Sequence, residues 1–153
     1  PTVRSASLTE RVIRPVNEVA VCSPYFSSLA NRQVSLSELT NFPLISLGED
    51  TKSFEFYSGF FSSHGLAYRP DIEAFTADQI LPMVESGLGV GIVPQDFIRP
   101  SDQVCVIDLV TPLLPRSVCL VKRKDQPLSV AARELEKMIV EFGAHEHDLR
   151  RQG

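Results

Sequence analysis

The stretch "TADQILPMVESGLGVGIVP", residues 76–94, constrains this chain more than any other. It reads as helix, glycine turn, strand. Thr76 followed by Gln79 matches a capping box, in which two such side chains satisfy the free N–H groups at a helix start. Ile80, Leu81, Val84 and Leu88 fall on one face of a helix. Gly87 stands where a glycine ends a helix in a left-handed turn. "VGIVP" follows as a short apolar strand, and Pro94 cannot continue a ladder. A dinucleotide fingerprint needs the reverse order, with the glycines between a strand and the helix that faces the pyrophosphate. No Lys followed by Ser or Thr comes after the glycines, so a Walker loop is excluded too. Gly87, Gly89 and Gly91 therefore predict a tight turn and close backbone packing, not a phosphate cradle.

The same alternation extends outward. "PLISL" (43–47), "DIEAF" (71–75) and "VCVIDL" (104–109) read as strands. "SLSELTNFP" opens with Ser35 and Glu38, a second capping box, and stops before Pro43. "SFEFYSGFFSSHG" (53–65) puts Phe54, Tyr57, Phe60 and Phe61 on one helix face and ends at Gly65. Strands alternating with helices over 43–109 predict an α/β fold, a mostly parallel sheet flanked by helices. Outside that core, "VNEVAVCSP" (16–24) and residues 117–122 read as strands. "SVAARELEKMIVEFGAH" reads as a closing helix with an apolar stripe of Ala132, Leu135, Met138, Ile139 and Phe142, and Gly143 as its stop.

In parallel sheets, ligands bind beyond the carboxyl ends of the strands. Two loops therefore stand out, 47–53 after "PLISL" and 75–78 after "DIEAF". Each runs into a helix N-terminus, which offers free N–H groups to an anion. Ser46, Thr51 and Ser53 accompany the first loop; Phe75, Thr76 and the N–H of Ala77 accompany the second. Two readings stay open for the hydroxyls, as helix caps or as ligand contacts, because both roles use the same groups.

Charge and cysteine usage narrow the function classes. The chain has 153 residues, net charge −4 and no basic block, so it lacks the electrostatic footprint of a DNA-binding module. No apolar run reaches the roughly 18 residues of a membrane span, and the first residues carry no signal-peptide core. A start without Met suggests a piece of something longer. Cys22, Cys105 and Cys119 each lie in an apolar strand-like run and read as buried thiols of a reducing cytoplasm. No metal-ligand spacing occurs, and there is no GxSxG elbow. Glu49 and Asp50 are adjacent, and adjacent positions rarely converge as an acid/base pair. The expectation is a protein that is not an enzyme, with no catalytic residue, metal or cofactor.

The ordered segments resemble LysR-type transcriptional regulators. "VNEVAVCSPYFSSLANRQVSLSELTNFPLISLG" is similar to a family stretch in which a strand precedes "HPLA" and then "sL.dL...PlI". It departs at Phe26 and Ser27, near the usual His and Pro. "DIEAFTADQILPMVESGLGVGIVPQDFI" resembles the family's strand, capped helix and "GLGi.llP" turn. "RSVCLVKRKDQPLSVAARELEKMIVEF" is similar to its last strand and helix. The resemblance implies a two-lobed effector-binding domain of the type 2 periplasmic-binding-protein kind, without the DNA-binding domain and part of lobe I. It implies residues 1–23 and 115–153 in lobe I and 24–114 as lobe II. It further implies a small-molecule effector, an anion or organic acid, in the inter-lobe cleft. Effector contacts would come from Ser46, Thr51, Ser53, Phe75, Thr76 and Ala77. A cytoplasmic homo-oligomer, touching DNA only through a domain absent from this chain and touching no membrane, completes the expectation. The alternative is a periplasmic solute-binding protein of the same fold.

Overall fold

The computed structural model describes residues 7–151. By contact the chain divides into two units: one runs to Val16 and resumes at Pro115, the other is Asn17–Leu114.

The larger unit holds a six-stranded sheet. Its strands are β2 (Glu18–Cys22), β3 (Gln33–Val34), β4 (Leu44–Leu47), β5 (Ile72–Ala74), β6 (Val90–Pro94) and β7 (Cys105–Leu109), in spatial order β3-β7-β2-β6-β4-β5. β4 pairs parallel with β5 and β6, and β3 pairs parallel with β7. β2 runs antiparallel to both β6 and β7. Five strands thus point one way, and β2, threaded between them, points the other. The expected mostly parallel sheet is present, with one antiparallel strand at its centre.

Side chains alternate across a strand, so the sheet feeds two cores. Ala20, Cys22, Leu44, Val90, Ile92 and Ile107 face α2 (Lys52–Ser63), whose Tyr57, Phe60 and Phe61 fill that side with Tyr68. Val21, Ile45, Ala74 and Val93 face Ile80 and Val84 of α3 (Ile80–Glu85). The short helix α1 (Leu36–Leu39) closes the first core through Leu36 and Leu39. Ser35 caps it, accepting from the Glu38 N–H at 3.1 Å. The expected capping box is only half made, because the Glu38 carboxylate pairs with Arg32.

The glycines behave as the spacing predicts. Gly87 has φ +75°, and the Leu88 N–H donates to Met83 O while Gly87 N–H donates to Val84 O, a Schellman ending. A Cβ on Gly89 would stand 2.4 Å from Pro43 O, and one on Gly91 would stand 2.6 Å from an Ile80 methyl. The helix expected at 77–86 divides into a 3-10 turn, Ala77–Gln79, and α3. Pro82 lacks the N–H that an α-helical bond to Asp78 O would need.

In the smaller unit β1 (Leu8–Val16) pairs antiparallel with β8 (Arg116–Arg123), with an irregularity between Val12 and Arg14. α4 (Val130–Arg151) packs on β1, and Lys122 of β8 bonds Glu136 of α4 at 2.7 Å. Four expectations change across the chain. The strand expected over 16–24 becomes β2 alone, and β1, whose "LTERVIRPV" has too weak an alternation to flag it, precedes it. Gly143 does not stop α4. It lets the helix approach β1, where a Cβ would meet an Ile13 methyl at 2.4 Å. The apolar stripe splits, with Ala132 and Ile139 partly buried and Leu135, Met138 and Phe142 exposed. Of the three cysteines only Cys22 is buried; Cys105 and Cys119 are half-buried.

Candidate functional site

The carboxyl ends of β4, β5, β6 and β7, at Leu47, Ala74, Pro94 and Leu109, lie along one edge of the sheet. β4 and β5 are register neighbours, with Leu47 opposite Ala74. The loops that follow them therefore leave from adjacent positions. Gly48 confirms the approach, since a Cβ there would stand 2.8 Å from the Glu73 carboxylate and 3.0 Å from that of Asp50. This brings the two sequence-predicted groups, around Thr51 and around Thr76, to one edge.

Their side chains are not equivalent. Thr51 is the N-cap of α2: its hydroxyl accepts from the Phe54 N–H at 3.2 Å and donates to Gly48 O at 2.7 Å. Ser53 is half-buried in the first turn of α2. Thr76 is exposed and forms the expected capping box with Gln79. The Gln79 carbonyl oxygen accepts from the N–H groups of Phe75 at 2.9 Å and Thr76 at 3.3 Å. Ala77 is half-buried in the 3-10 turn, and the Phe75 ring is 90% exposed.

Ser46 differs from all of these. It is 3% exposed, on the α2 side of β4, and its hydroxyl has no hydrogen-bond partner of normal geometry. An unmade bond of this kind costs about 1–3 kcal/mol. Tyr68 lies beside it. Burial pushes the Tyr68 phenol up to about 12, and the Ser46 hydroxyl offsets only part of that. Phe54 in the first turn of α2 packs on Tyr68 with ring centroids 5.6 Å apart, so it is part of the core.

Sequence reasoning missed one polar pair at the same end. Glu18, at the start of β2, is 6% exposed, and the Tyr57 hydroxyl donates to its Oε2 at 2.9 Å. The available signal was a lone acid in phase with the buried face of "EVAVC". Electrostatically this edge is acidic, since Asp50 and Glu73 flank Gly48, and Lys52 in the first turn of α2 pairs with Glu55. A cavity of about 430 Å³ lies elsewhere in this unit, between α3 and residues 96–102, and none of the six predicted residues lines it. Among the described residues no group of three or more His, Cys, Asp or Glu is placed to hold a metal ion. No helix among them is long and apolar enough to cross a membrane.

The family model of the LysR substrate binding domain matches residues 1–144. A 70-residue stretch is 41% identical to an uncharacterized HTH-type transcriptional regulator, YwbI, of Bacillus subtilis (strain 168); it covers 43% of this chain and 23% of that protein. A similar match, 34% over 65 residues, is to YfeR of Shigella flexneri, and covers 42% of this chain and 21% of that protein. The match thus spans less than a quarter of either relative. Among solved structures, the regulatory domain of Synechocystis PCC6803 CcmR, in complex with 2-PG, superposes with a TM-score of 0.82 at 12% identity, over 94% of this chain and 70% of that one. The effector binding domain of QuiR, in complex with shikimate, gives 0.79 at 14% identity, over 95% and 69%. At such identities these likenesses establish the fold.

Proposed function

Because the chain belongs to the LysR substrate-binding domain family, we propose that it is the sensing part of a longer bacterial regulator and that its ligand is a monoanionic organic acid. The ligand sits at the carboxyl edge of the six-stranded sheet, against the N-terminus of α2. The observation that carries this reading is Ser46, a buried hydroxyl with an unmade hydrogen bond beneath that helix start. N–H groups in the first turn of α2 lack intrahelical partners and favour an anion. Asp50 and Glu73 nearby work against a doubly charged ion such as sulfate or phosphate. The exposed Phe75 ring offers apolar surface to a ligand's carbon skeleton. Of the solved structures with this fold, two are bound to shikimate and benzoate, both carboxylates, and a third to 2-PG.

Within this reading Ser46 is the deepest contact, with Ser53, Phe75, Thr76 and the Ala77 N–H as the rim. Thr51 holds the helix start in place. The ligand leaves unchanged, since the site holds no paired acid and base. Its binding shifts the population of a cytoplasmic homo-oligomer, and DNA is touched by a domain outside this sequence. The exposed Leu135, Met138 and Phe142 face of α4 is apolar surface consistent with assembly.

The test is calorimetric titration of the chain with benzoate, shikimate, sulfate and phosphate, in wild type and Ser46→Ala. A carboxylate should bind and the divalent anions should not. Ser46→Ala should weaken that binding by about 1.5–3 kcal/mol, tenfold or more, the worth of a hydrogen bond to a charged group. Its folding stability should change little, because the hydroxyl lost makes no hydrogen bond of normal geometry. Equal affinity in both proteins would remove Ser46 from the site.

A further inference from the structure

β2 and β7 place Cys22 directly opposite Cys105 in antiparallel register. Both thiols lie on the α2 side of the sheet, Cys22 within the core and Cys105 at its margin. Residues opposite one another in an antiparallel pair have Cα atoms about 4.5–5.5 Å apart, inside the range of about 4.4–6.8 Å that a disulfide spans. Their Cβ atoms lie about 4.5–5.5 Å apart, where a disulfide takes about 3.5–4.5 Å. The two ranges meet at about 4.5 Å, so a disulfide can close across this pair with a small adjustment of the strands.

We propose that Cys22 and Cys105 are a redox-active dithiol, converted by a hydroperoxide into a cross-strand disulfide. The partly exposed Cys105 reacts first. Its thiolate sulfur attacks one peroxide oxygen, the O–O bond breaks, and the hydroxide released takes up the proton the thiol gave. Cys105 is then a sulfenic acid and one water has formed. The Cys22 sulfur next attacks the Cys105 sulfur. The S–O bond breaks, and the departing hydroxide leaves as a second water with the Cys22 proton. Two thiols and one hydrogen peroxide thus give one disulfide and two waters.

The surroundings assign the order. Cys22 is fully buried, and burial first, then the neighbouring Cys105, pushes its thiol up to about 11. It is therefore shielded from the oxidant, and acts as the resolving partner, giving up its proton only as it attacks the Cys105 sulfenic acid. Cys119 sits opposite Val12 in the other unit and has no thiol across from it. The bond would have a structural consequence. β2 follows the chain's first passage between units at Val16–Asn17, and β7 precedes the second at Leu114–Pro115. A link between them fixes one strand against the other and closes a loop over residues 23–104. That loop carries α2, β4 and β5, the elements that form the carboxyl edge.

The test treats the whole chain with hydrogen peroxide under native conditions, alkylates the remaining thiols, and maps the peptides. The expected result is a Cys22–Cys105 linked peptide lighter by two hydrogen atoms, with Cys119 alkylated and the link reversed by dithiothreitol. Cys119→Ser should keep the link, and Cys105→Ser should lose it. Cys22→Ala should lose it and accumulate a Cys105 sulfenic acid that dimedone traps. Peroxide that drives wild-type Cys105 to the sulfinic acid with no linked peptide would overturn the proposal. So would disulfides confined to Cys119 between two molecules. Should Cys22→Ala fail to fold, the maps of wild type and Cys119→Ser decide the question alone.

Discussion

Replacing Gly89 by alanine should destabilise this domain far more than one methyl group suggests. The new Cβ would lie 2.4 Å from Pro43 O, 3.1 Å from Pro43 C and 3.2 Å from an Ile45 side-chain carbon. The carbonyl cannot swing away freely, because it accepts the Val90 N–H at 2.8 Å. Overpacking of this kind costs about 1–3 kcal/mol, and weakening the attached hydrogen bond adds about 1 kcal/mol. The sum is about 2–4 kcal/mol, and at about 2–4 °C per kcal/mol for a chain of this size the midpoint should fall by roughly 4–16 °C. Two sister variants isolate the cause. At Gly87, φ is +75° but the nearest side-chain atom is a carbon of the exposed Tyr25 ring at 3.2 Å. Alanine there should cost only the left-handed penalty of about 1–2 kcal/mol. Gly59, in α2, has nothing within 4 Å of its would-be Cβ, and alanine there should stabilise by up to about 1 kcal/mol. Urea unfolding followed by circular dichroism gives all three on one scale. Should Gly89→Ala fall within about 0.5 kcal/mol of wild type, the range of an ordinary surface change, close packing would not be why glycine stands there.

Two further outcomes follow from the site. Thr76→Ala should cost about 1 kcal/mol of stability through its cap and weaken carboxylate binding about tenfold if it also touches ligand; a stability loss with unchanged calorimetric affinity would leave it a cap only. Tyr68 gives a pH signature: its folded pKa of about 12 stands above the ordinary value of 10, so its contribution is intact below pH 10 and is lost as pH rises toward 12. Two pH units correspond to about 2.7 kcal/mol, read as a falling urea midpoint with a phenolate absorbance step at unfolding, and Tyr68→Phe should remove that share of the dependence.

The architecture was legible where local chemistry and tertiary packing agree. The unit "TADQILPMVESGLGVGIVP" carries its cap, its stop and its buried strand within nineteen residues, and every one of those signals acts over a few bonds. Legibility failed where the deciding contact is distant. Nothing local in "LTERVIRPV" announces β1, because its partner β8 lies about a hundred residues away. Gly143 carries the local grammar of a helix stop, yet its reason is Ile13 at the far end of the chain. Glu38 has the spacing of a capping box and is diverted by Arg32. Each miss is a case of a long-range partner outbidding a short-range one.

The site shows the same limit in sharper form. Hydroxyls that precede a helix are visible in sequence, but local groups take up what they offer: the Thr51 hydroxyl gives and accepts a bond as a cap, and Gln79 takes the backbone N–H groups of Phe75 and Thr76. A group that has satisfied itself locally gains little by contacting a ligand. The more informative group is one the fold has buried and left short of a bond. Ser46 meets that condition, because alternation along β4 turns it toward the α2 side, beside the Tyr68 phenol but without a hydrogen bond of normal geometry. That combination depends on strand phase, helix placement and the depth of the core together. It can be calculated only once the chain is folded, and it ranks Ser46 above the loop hydroxyls that the sequence makes conspicuous.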